Sequence, residues 1–197
     1  MNNEGKILNL MNKNNGLITT KEVNDMNIPK VTLTRLVRKG IIQRQQKGLY
    51  IFPSTWEDEY YGIIYNNKNA VFSHLTALYF HNLCERVPLT YDISVAYNYT
   101  GNLTKNNEVT LHYVKPEILD LGRITIKSPQ GQMINCYNVE RCLCDIFKDK
   151  NKIYTEYLKY AFIEYYKNQK HDTFKLYQYA KKLNIENEIH DYMEVLL

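Results

Sequence analysis

Six fixed positive charges lie close together in a stretch of the chain that has no carboxylate. Residues 26–56 contain neither Asp nor Glu, and their cations are Lys30, Arg35, Arg38, Lys39, Arg44 and Lys47. Lysine and arginine neutralise phosphate groups, and arginine and glutamine side chains can also hydrogen-bond the edges of bases. The pattern therefore indicates a surface that meets a polyanion such as duplex DNA.

Positive charge is concentrated in the N-terminal part of the chain. The net charge is +4 over 197 residues, but residues 1–53 alone carry nine Lys and Arg against three acids and net +6. The remaining residues carry 16 cations and 18 acids, which net −2. Such asymmetry predicts a specialised basic module, residues 1–53, joined to a nearly neutral body, residues 54–197.

Cysteine and histidine are the other residue types that could do chemistry. We expect reduced and mostly buried thiols at the four cysteines, which are Cys84, Cys136, Cys142 and Cys144. Cys142 and Cys144 have no second pair nearby, so they fall short of a zinc pattern. His74 and His81 lie on one side of a predicted helix without a third ligand at helical spacing, and we expect surface or hydrogen-bonded histidines. The sequence therefore predicts no metal site and no cofactor.

A nuclease is the enzymatic alternative, because DNA-binding modules are sometimes joined to cleavage domains. A restriction-type site needs acids and a lysine converging on a metal, but the best candidate strand reads Thr125, Ile126, Lys127 without the required carboxylate. We expect Asp92 and Glu108 to be edge-facing charges. Since no phosphate loop, dinucleotide glycine motif or nucleophile elbow occurs either, the chain is predicted not to be an enzyme.

The hydropathy of the chain bears on its location. No run of 18 apolar residues occurs, and the first 15 residues lack both an unbroken apolar core and a small-residue cleavage site. We therefore predict a cytoplasmic protein with no membrane partner.

Three short helices must position the basic residues. Apolar residues at 7, 8, 10 and 11 predict a first helix that ends at Asn14, Asn15 and Gly16. Thr19 or Thr20 can cap a second helix, with Glu22 in its first turn. Pro29 suits the first turn of a third helix. Three helices within 40 residues predict a helix-turn-helix.

The third helix and the strands after it carry the predicted contacts. At 100° per residue Leu33, Leu36 and Val37 gather on one side, and the opposite side is polar apart from Val31, which would suit a thymine methyl group. The following segment, IIQRQQKGLYIF, predicts a hairpin that turns at Gly48. The predicted DNA-contacting residues are Lys30, Val31, Thr32, Thr34, Arg35, Arg38, Lys39, Arg44, Gln45, Gln46 and Lys47, the last four at the tip of the hairpin.

Residues 54–197 predict an α+β body. Trp56 should belong to the apolar stripe of a helix in WEDEYYGIIYNNK, and Ser73 should cap the helix HLTALYFHNL. Alternation predicts a small mixed or antiparallel sheet from YDISVAY, EVTLHYV, GRITIKS and QMINCYN. Asn138 should cap the next helix, and Tyr154 should begin the buried stripe of the helices that follow. Most of the tyrosines are expected to fill the core.

Three blocks of the chain resemble one protein family. PKVTLTRLVRKGIIQRQQKGLYIFP, VFSHLTALYFHNLCERVPLTYDISV and YNVERCLCDIF resemble, in the same order, blocks of the AbiEi antitoxins of AbiE abortive-infection, or type IV toxin–antitoxin, systems. The resemblance implies a winged helix-turn-helix followed by a longer C-terminal antitoxin domain. It also implies a repressor that binds inverted repeats in the promoter of its own operon.

The same resemblance implies two partners. One is double-stranded promoter DNA, bound by a protein that is monomeric in solution or binds repeats cooperatively. The other is a nucleotidyltransferase-like toxin, countered in phage defence without a stable toxin–antitoxin complex.

Overall fold

The computed structural model of the chain describes residues 2–167 and 172–196. The chain divides into two compact units, one of Met1–Asn66 with Lys127–Ile134 and the other of Asn67–Ile126 with Asn135–Leu197. Helices and a mixed sheet build the second unit, so the α+β class is observed.

The first unit alternates short helices and strands. Its elements are α1 (Asn3–Lys13), β1 (Leu17–Thr19), α2 (Thr20–Asp25), α3 (Val31–Arg38), β2 (Gln43–Gln46), β3 (Leu49–Ile51) and α4 (Glu59–Tyr65). The three strands form an antiparallel sheet in the order β1-β3-β2. The sequence prediction included the hairpin of β2 and β3 but not β1, the third strand.

Local signals explain where the first helices begin and end. Asn14 caps α1, and the chain then turns through Asn15 and Gly16, both at positive φ. Thr19 caps α2 in a capping box, because its hydroxyl accepts from the Glu22 amide while the Glu22 carboxylate accepts from the Thr19 amide at 2.8 Å. Both predicted boundaries are confirmed.

One apolar cluster holds the three helices and the hairpin together. It contains the buried side chains Ile7, Met11, Ile18, Val23, Ile28, Leu33, Leu36 and Ile42, with Tyr50 and Phe52 of the hairpin packed against it. A second cluster of Leu17, Leu49 and Ile51 is covered by Tyr61 and Tyr65 of α4. Helix α4 therefore packs on the strands of the first unit.

Trp56 does not belong to the apolar stripe of α4. The helix begins at Glu59, after the indole, and Asp58 caps it by accepting from the Tyr61 amide at 2.9 Å. Trp56 is 87% exposed, so its predicted burial is wrong. A helix that starts three residues later than the apolar pattern suggests leaves the ring outside the packed face.

The second unit contains most of the helices and, apart from residues 127 and 133–134, a five-stranded mixed sheet. Its strands are β4 (Val71–Phe72), β5 (Tyr91–Ala96), β6 (Val109–Val114), β7 (Arg123–Lys127) and β8 (Met133–Tyr137), in the order β6-β5-β4-β8-β7. Strand β4 runs antiparallel to β5 and parallel to β8, and β5 runs parallel to β6. The four predicted strands are present, while the two-residue strand β4 at the centre was not predicted.

Helices accompany this sheet. They are α5 (His74–Phe80), α6 (Pro116–Leu119), α7 (Val139–Lys148), α8 (Thr155–Lys167), α9 (Thr173–Lys182) and α10 (Glu186–Leu196), with a short 3₁₀ helix at Asn102–Lys105. The predicted cap of α7 is confirmed, since the Asn138 side chain accepts from the Arg141 amide. Ser73 occupies the N-cap position of α5 but makes no side-chain cap bond. Tyr154 is 76% exposed and precedes α8, so its predicted place in the buried stripe is wrong.

Helix α7 crosses the core with a buried ion pair. The Arg141 guanidinium donates to Asp145 Oδ1 at 2.9 Å and to the carbonyl oxygens of Ile118 and Leu121 at 2.7 and 2.9 Å. It also lies 4.3 Å from the centre of the Tyr137 ring. These hydrogen bonds compensate for most of the cost of burying the Arg141 charge, which has no exposed surface.

Among the helices of residues 2–167 and 172–196, none is long and apolar enough to cross a bilayer.

Candidate nucleic-acid interface

Helix α3 presents two different faces. Leu33 and Leu36 are buried at 1% and 0% exposure and anchor the helix in the core of the first unit. The side chains of Thr34, Arg35 and Arg38 are exposed. Since residues at this spacing fall on opposite sides of a helix with 3.6 residues per turn, the guanidinium groups point away from the core.

Val31 lies at the exposed start of the same helix. Its side chain is 58% exposed, although it is β-branched and apolar. The Thr32 amide donates to the Pro29 carbonyl at 2.9 Å, so Pro29 opens the first turn ahead of α3. An exposed methyl pair beside Thr34 and Arg35 can contact the methyl group of thymine in a major groove.

Thr32 does not lie on the exposed face of α3, so its predicted place on the polar side of the helix is wrong. Its side chain is buried at 5% exposure. The helical wheel explains the burial, because Thr32 stands only 40° from Leu36, four residues further on, and so borders the apolar stripe. Thr32 belongs to the packed side of α3.

The hairpin of β2 and β3 carries the remaining cations. It turns at Lys47 and Gly48, where Gly48 adopts a φ of +86°. Arg44 and Lys47 are exposed, and Arg44 Nε donates to the Gln46 carbonyl at 3.2 Å. The two cations are therefore available on the surface of the hairpin.

Gln45 and Gln46 do not project from the tip of the hairpin, so their predicted place there is wrong. The pairing of β2 with β3 shifts register between Arg44 and Gln46. Gln46 Nε2 donates to the Gly62 carbonyl in α4 at 2.7 Å, and Gln45 Nε2 also lies close to Gly62. The irregularity turns both amides towards α4, a helix packed on the sheet that sequence patterning did not place there.

Lys39 is exposed but has an acidic partner. Its Nζ lies 2.9 Å from both carboxylate oxygens of Glu4 at the start of α1. Within the described residues, Glu4 is the one carboxylate that pairs with any of the six cations. Sequence counting could not find this pair, because Glu4 is 35 residues away along the chain.

The six cations are all exposed, as a phosphate-binding surface requires. They occupy one helix and one hairpin that share a single apolar cluster. Arginine offers paired N–H donors for base edges or phosphate oxygens, while lysine acts as a point charge towards phosphate. The exposed residues of α3 and the hairpin can thus combine a helix for a groove with cations for the backbone.

The cysteines and His81 have structural surroundings. All four cysteines are free and buried, and burial raises the pKa of the Cys136, Cys142 and Cys144 thiols. The Nε2 of His81 lies 2.8 Å from the Tyr137 carbonyl, and burial lowers the pKa of this imidazole. The thiols are therefore neutral, and His81 is hydrogen-bonded as expected.

Asp92 is not an edge-facing charge, which corrects that expectation. It lies on β5, inside the sheet, and its side chain is 12% exposed. Its Oδ1 lies 2.8 Å from His112 Nε2, within hydrogen-bond distance. Glu108 is exposed next to β6, which is an edge strand.

A family model matches the N-terminal part of the chain. Residues 6–53 match a family model described as transcriptional regulator, AbiEi antitoxin, and the predicted resemblance is confirmed there. The two later sequence blocks lie outside the match. The description of that family is one of regulators.

One solved structure is similar over most of the chain. It is the crystal structure of the RV2827C protein from Mycobacterium tuberculosis, with a TM-score of 0.51 and 11% sequence identity over 92% of this chain and 75% of that chain. At this identity the likeness concerns the fold alone. No curated protein matches the chain in sequence.

Proposed function

We propose that residues 1–53 form a winged helix-turn-helix that binds double-stranded promoter DNA, and that the chain is an antitoxin that represses its own operon. The order α1-β1-α2-α3-β2-β3, with α3 packed by one face only, supports this proposal. The match of residues 6–53 to an antitoxin and regulator family supports it independently.

The exposure of Arg35 and Arg38 on α3 is the observation that carries the proposal. Both guanidinium groups lie opposite the buried leucines of the helix, and neither has a carboxylate partner among the described residues. In the proposed complex α3 enters the major groove, with these arginines at base edges or adjacent phosphates. Lys30, Lys39, Arg44 and Lys47 neutralise the flanking backbone, and Val31 and Thr34 face the bases.

The proposed biological role follows the family resemblance. Residues 54–197 form the antitoxin domain, which counters a nucleotidyltransferase-like toxin without a stable complex in a type IV phage-defence system. The promoter site consists of inverted repeats, and the protein is a monomer in solution or binds the repeats cooperatively. The proposed role involves no enzymatic activity.

Replacing both arginines tests the proposal. We expect Arg35→Ala with Arg38→Ala to weaken binding to the chain's own promoter by about 2 kcal/mol or more, roughly 30-fold, because base and phosphate contacts are lost. Gel-shift or fluorescence-anisotropy titration at fixed salt measures the loss. Lys181→Ala with Lys182→Ala, two exposed lysines of α9, is the control for an equal change in net charge.

Salt titration adds a second readout. If four to six phosphates are neutralised, log K should fall with log salt at a slope of about −4 to −5. The doubly substituted protein should show a shallower slope, while the α9 control should keep the original one. Equal affinity and slope in all three proteins would contradict DNA binding by α3.

A further inference from the structure

Two histidines of the second unit lie face to face beside an aspartate. The imidazole rings of His74 and His112 stack with their centres 3.5 Å apart at an angle of 16°. His74 begins α5, His112 lies on β6, and Asp149 caps the end of α7. These positions are 38 and 37 residues apart in sequence, so only the fold brings them together.

One nitrogen of each ring faces the same carboxylate oxygen. His74 Nε2 and His112 Nδ1 each lie 3.5 Å from Asp149 Oδ2. The three ligand atoms all lie within 4.8 Å of one another. Tetrahedral Zn²⁺ with bonds of 2.0–2.2 Å separates its ligand atoms by about 3.3–3.5 Å. The two separations match the spacing of two ligand atoms on one ion.

The other nitrogen of each ring has its own oxygen partner. His112 Nε2 lies 2.8 Å from Asp92 Oδ1, and His74 Nδ1 lies 3.0 Å from Ser73 Oγ. If each distal N–H donates to that oxygen, the lone pairs of both facing nitrogens are directed towards Asp149. Histidines that bind metals are oriented in this way by a second hydrogen bond.

That arrangement needs a positive charge between the rings and the carboxylate. Two lone pairs directed at a carboxylate repel it, and either a proton or a metal ion removes the repulsion. The Lys152 ammonium does not occupy this place, because it pairs at 3.1 Å with the other carboxylate oxygen, Oδ1 of Asp149. The three side chains also line a cavity of about 410 Å³, which leaves room for a further ligand such as water.

The conformation of His74 supports a constrained site. Its φ is +48°, a left-handed conformation for a residue that is not glycine, and its side chain is 6% exposed. Residues held in such conformations occur where the surrounding structure fixes them, often at ligand sites.

We propose that His74 Nε2, His112 Nδ1 and Asp149 Oδ2 bind one divalent transition-metal ion of the Zn²⁺ class, with Asp92 and Ser73 orienting the histidines. Imidazole and carboxylate ligands together suit such ions and do not suit Mg²⁺, which prefers oxygen ligands alone. Binding turns one ring out of the stack, because a metal lies near the plane of each imidazole that it binds. The ion links α5, β6 and α7, and it is separate from the proposed DNA-binding function.

Metal titration of the full-length, tag-free protein tests the site. After chelator treatment and dialysis, we expect one Zn²⁺ per chain by calorimetry and a rise in melting temperature that excess Mg²⁺ does not reproduce. Co²⁺ should give visible absorption bands of nitrogen and oxygen ligands without a thiolate-to-cobalt charge-transfer band. Such a band would assign the metal to the cysteines and would overturn the proposal, as would the absence of 1:1 binding.

Matched variants locate the ion. We expect His112→Gln and Asp149→Asn to lose 1:1 binding, and Asp92→Asn to weaken it by about 10–100-fold because the histidine loses its orienting bond. His190→Gln is the control, because His190, Asp191 and Glu194 form an exposed cluster of one histidine and two carboxylates on α10. Circular dichroism checks that each variant is folded. Unchanged binding in folded His112→Gln, or loss of binding in His190→Gln, would overturn the assignment.

Discussion

Neighbouring polar residues of the hairpin have different roles because their surroundings differ. Arg44 and Lys47 are exposed, whereas the Gln46 side chain donates to the backbone of α4 at 2.7 Å. A cation on the surface can neutralise phosphate, but an amide committed to a carbonyl oxygen contributes to folding instead. Binding and stability should therefore respond separately to substitution at these positions.

Substitution of Lys47 and Gln46 distinguishes these roles. We expect Lys47→Ala to weaken DNA binding about equally for all sequences and to reduce the salt slope by about 1, because one phosphate contact is lost. We expect Gln46→Ala to leave the slope unchanged and to lower the free energy of unfolding by about 1 kcal/mol. Anisotropy titrations over a salt series and urea denaturation measure the two effects. A steeper loss of DNA affinity in Gln46→Ala than in Lys47→Ala would contradict this division.

The start of α2 is tied to α1 and β1 through one carboxylate. The Glu22 side chain accepts from the Thr19 amide and from Asn14 Nδ2, each at 2.8 Å. Asn14 is the C-cap of α1, and Thr19 ends β1 and caps α2. This network sets the path of the chain between the first two helices, on which α3 packs.

Removal of the cap tests this network. We expect Thr19→Ala to lower the free energy of unfolding by about 1–2 kcal/mol, because the first turn of α2 loses its acceptor. Thr34→Ala, an exposed threonine on α3, is the matched control and should change stability by less than about 0.5 kcal/mol. Thermal and urea unfolding monitored by circular dichroism measure both. Equal stability of the two variants would show that the capping bond contributes little.

The two compact units do not correspond to two continuous pieces of sequence. The first unit extends past residue 53 to Asn66 and includes Lys127–Ile134. Within it, Ser128 Oγ donates to the buried Asp58 at 2.5 Å, and Gln132 Nε2 donates to the Asn14 carbonyl at 3.1 Å. Deleting residues 1–53 would remove the packing partners of Tyr61 and Tyr65, so point substitutions separate the proposed functions more cleanly.

Repression and toxin neutralisation should be separable in the intact chain. We expect the protein with Arg35→Ala and Arg38→Ala to repress a promoter reporter less. The same protein should still protect cells from the toxin, because the substitutions leave residues 54–197 unchanged. Reporter activity and growth during toxin expression are measured in the same strain, with the Lys181→Ala and Lys182→Ala protein as control. Loss of protection by the folded arginine variant would mean that DNA binding is needed for neutralisation.

Short-range patterns of the sequence determined much of the first unit. Three signals act within a few residues: the apolar spacing of α1 and α3, the N-cap at Thr19 and the glycine turn at Gly48. Each can therefore be predicted from the sequence alone. The same local chemistry indicated exposed arginines on α3 and the four longer strands of the second unit. It also underlies the match of residues 6–53 to a family of regulators.

Contacts between distant residues were decided only by the tertiary structure. Glu4 forms an ion pair with Lys39, the Gly62 carbonyl accepts a hydrogen bond from Gln46, and a two-residue strand lies at the centre of a sheet. The cluster of His74, His112 and Asp149 arises in the same way, since no helical or strand spacing relates its members. Periodicity reports which face of an element is buried, but not which element covers it, and that choice depends on packing of the whole unit.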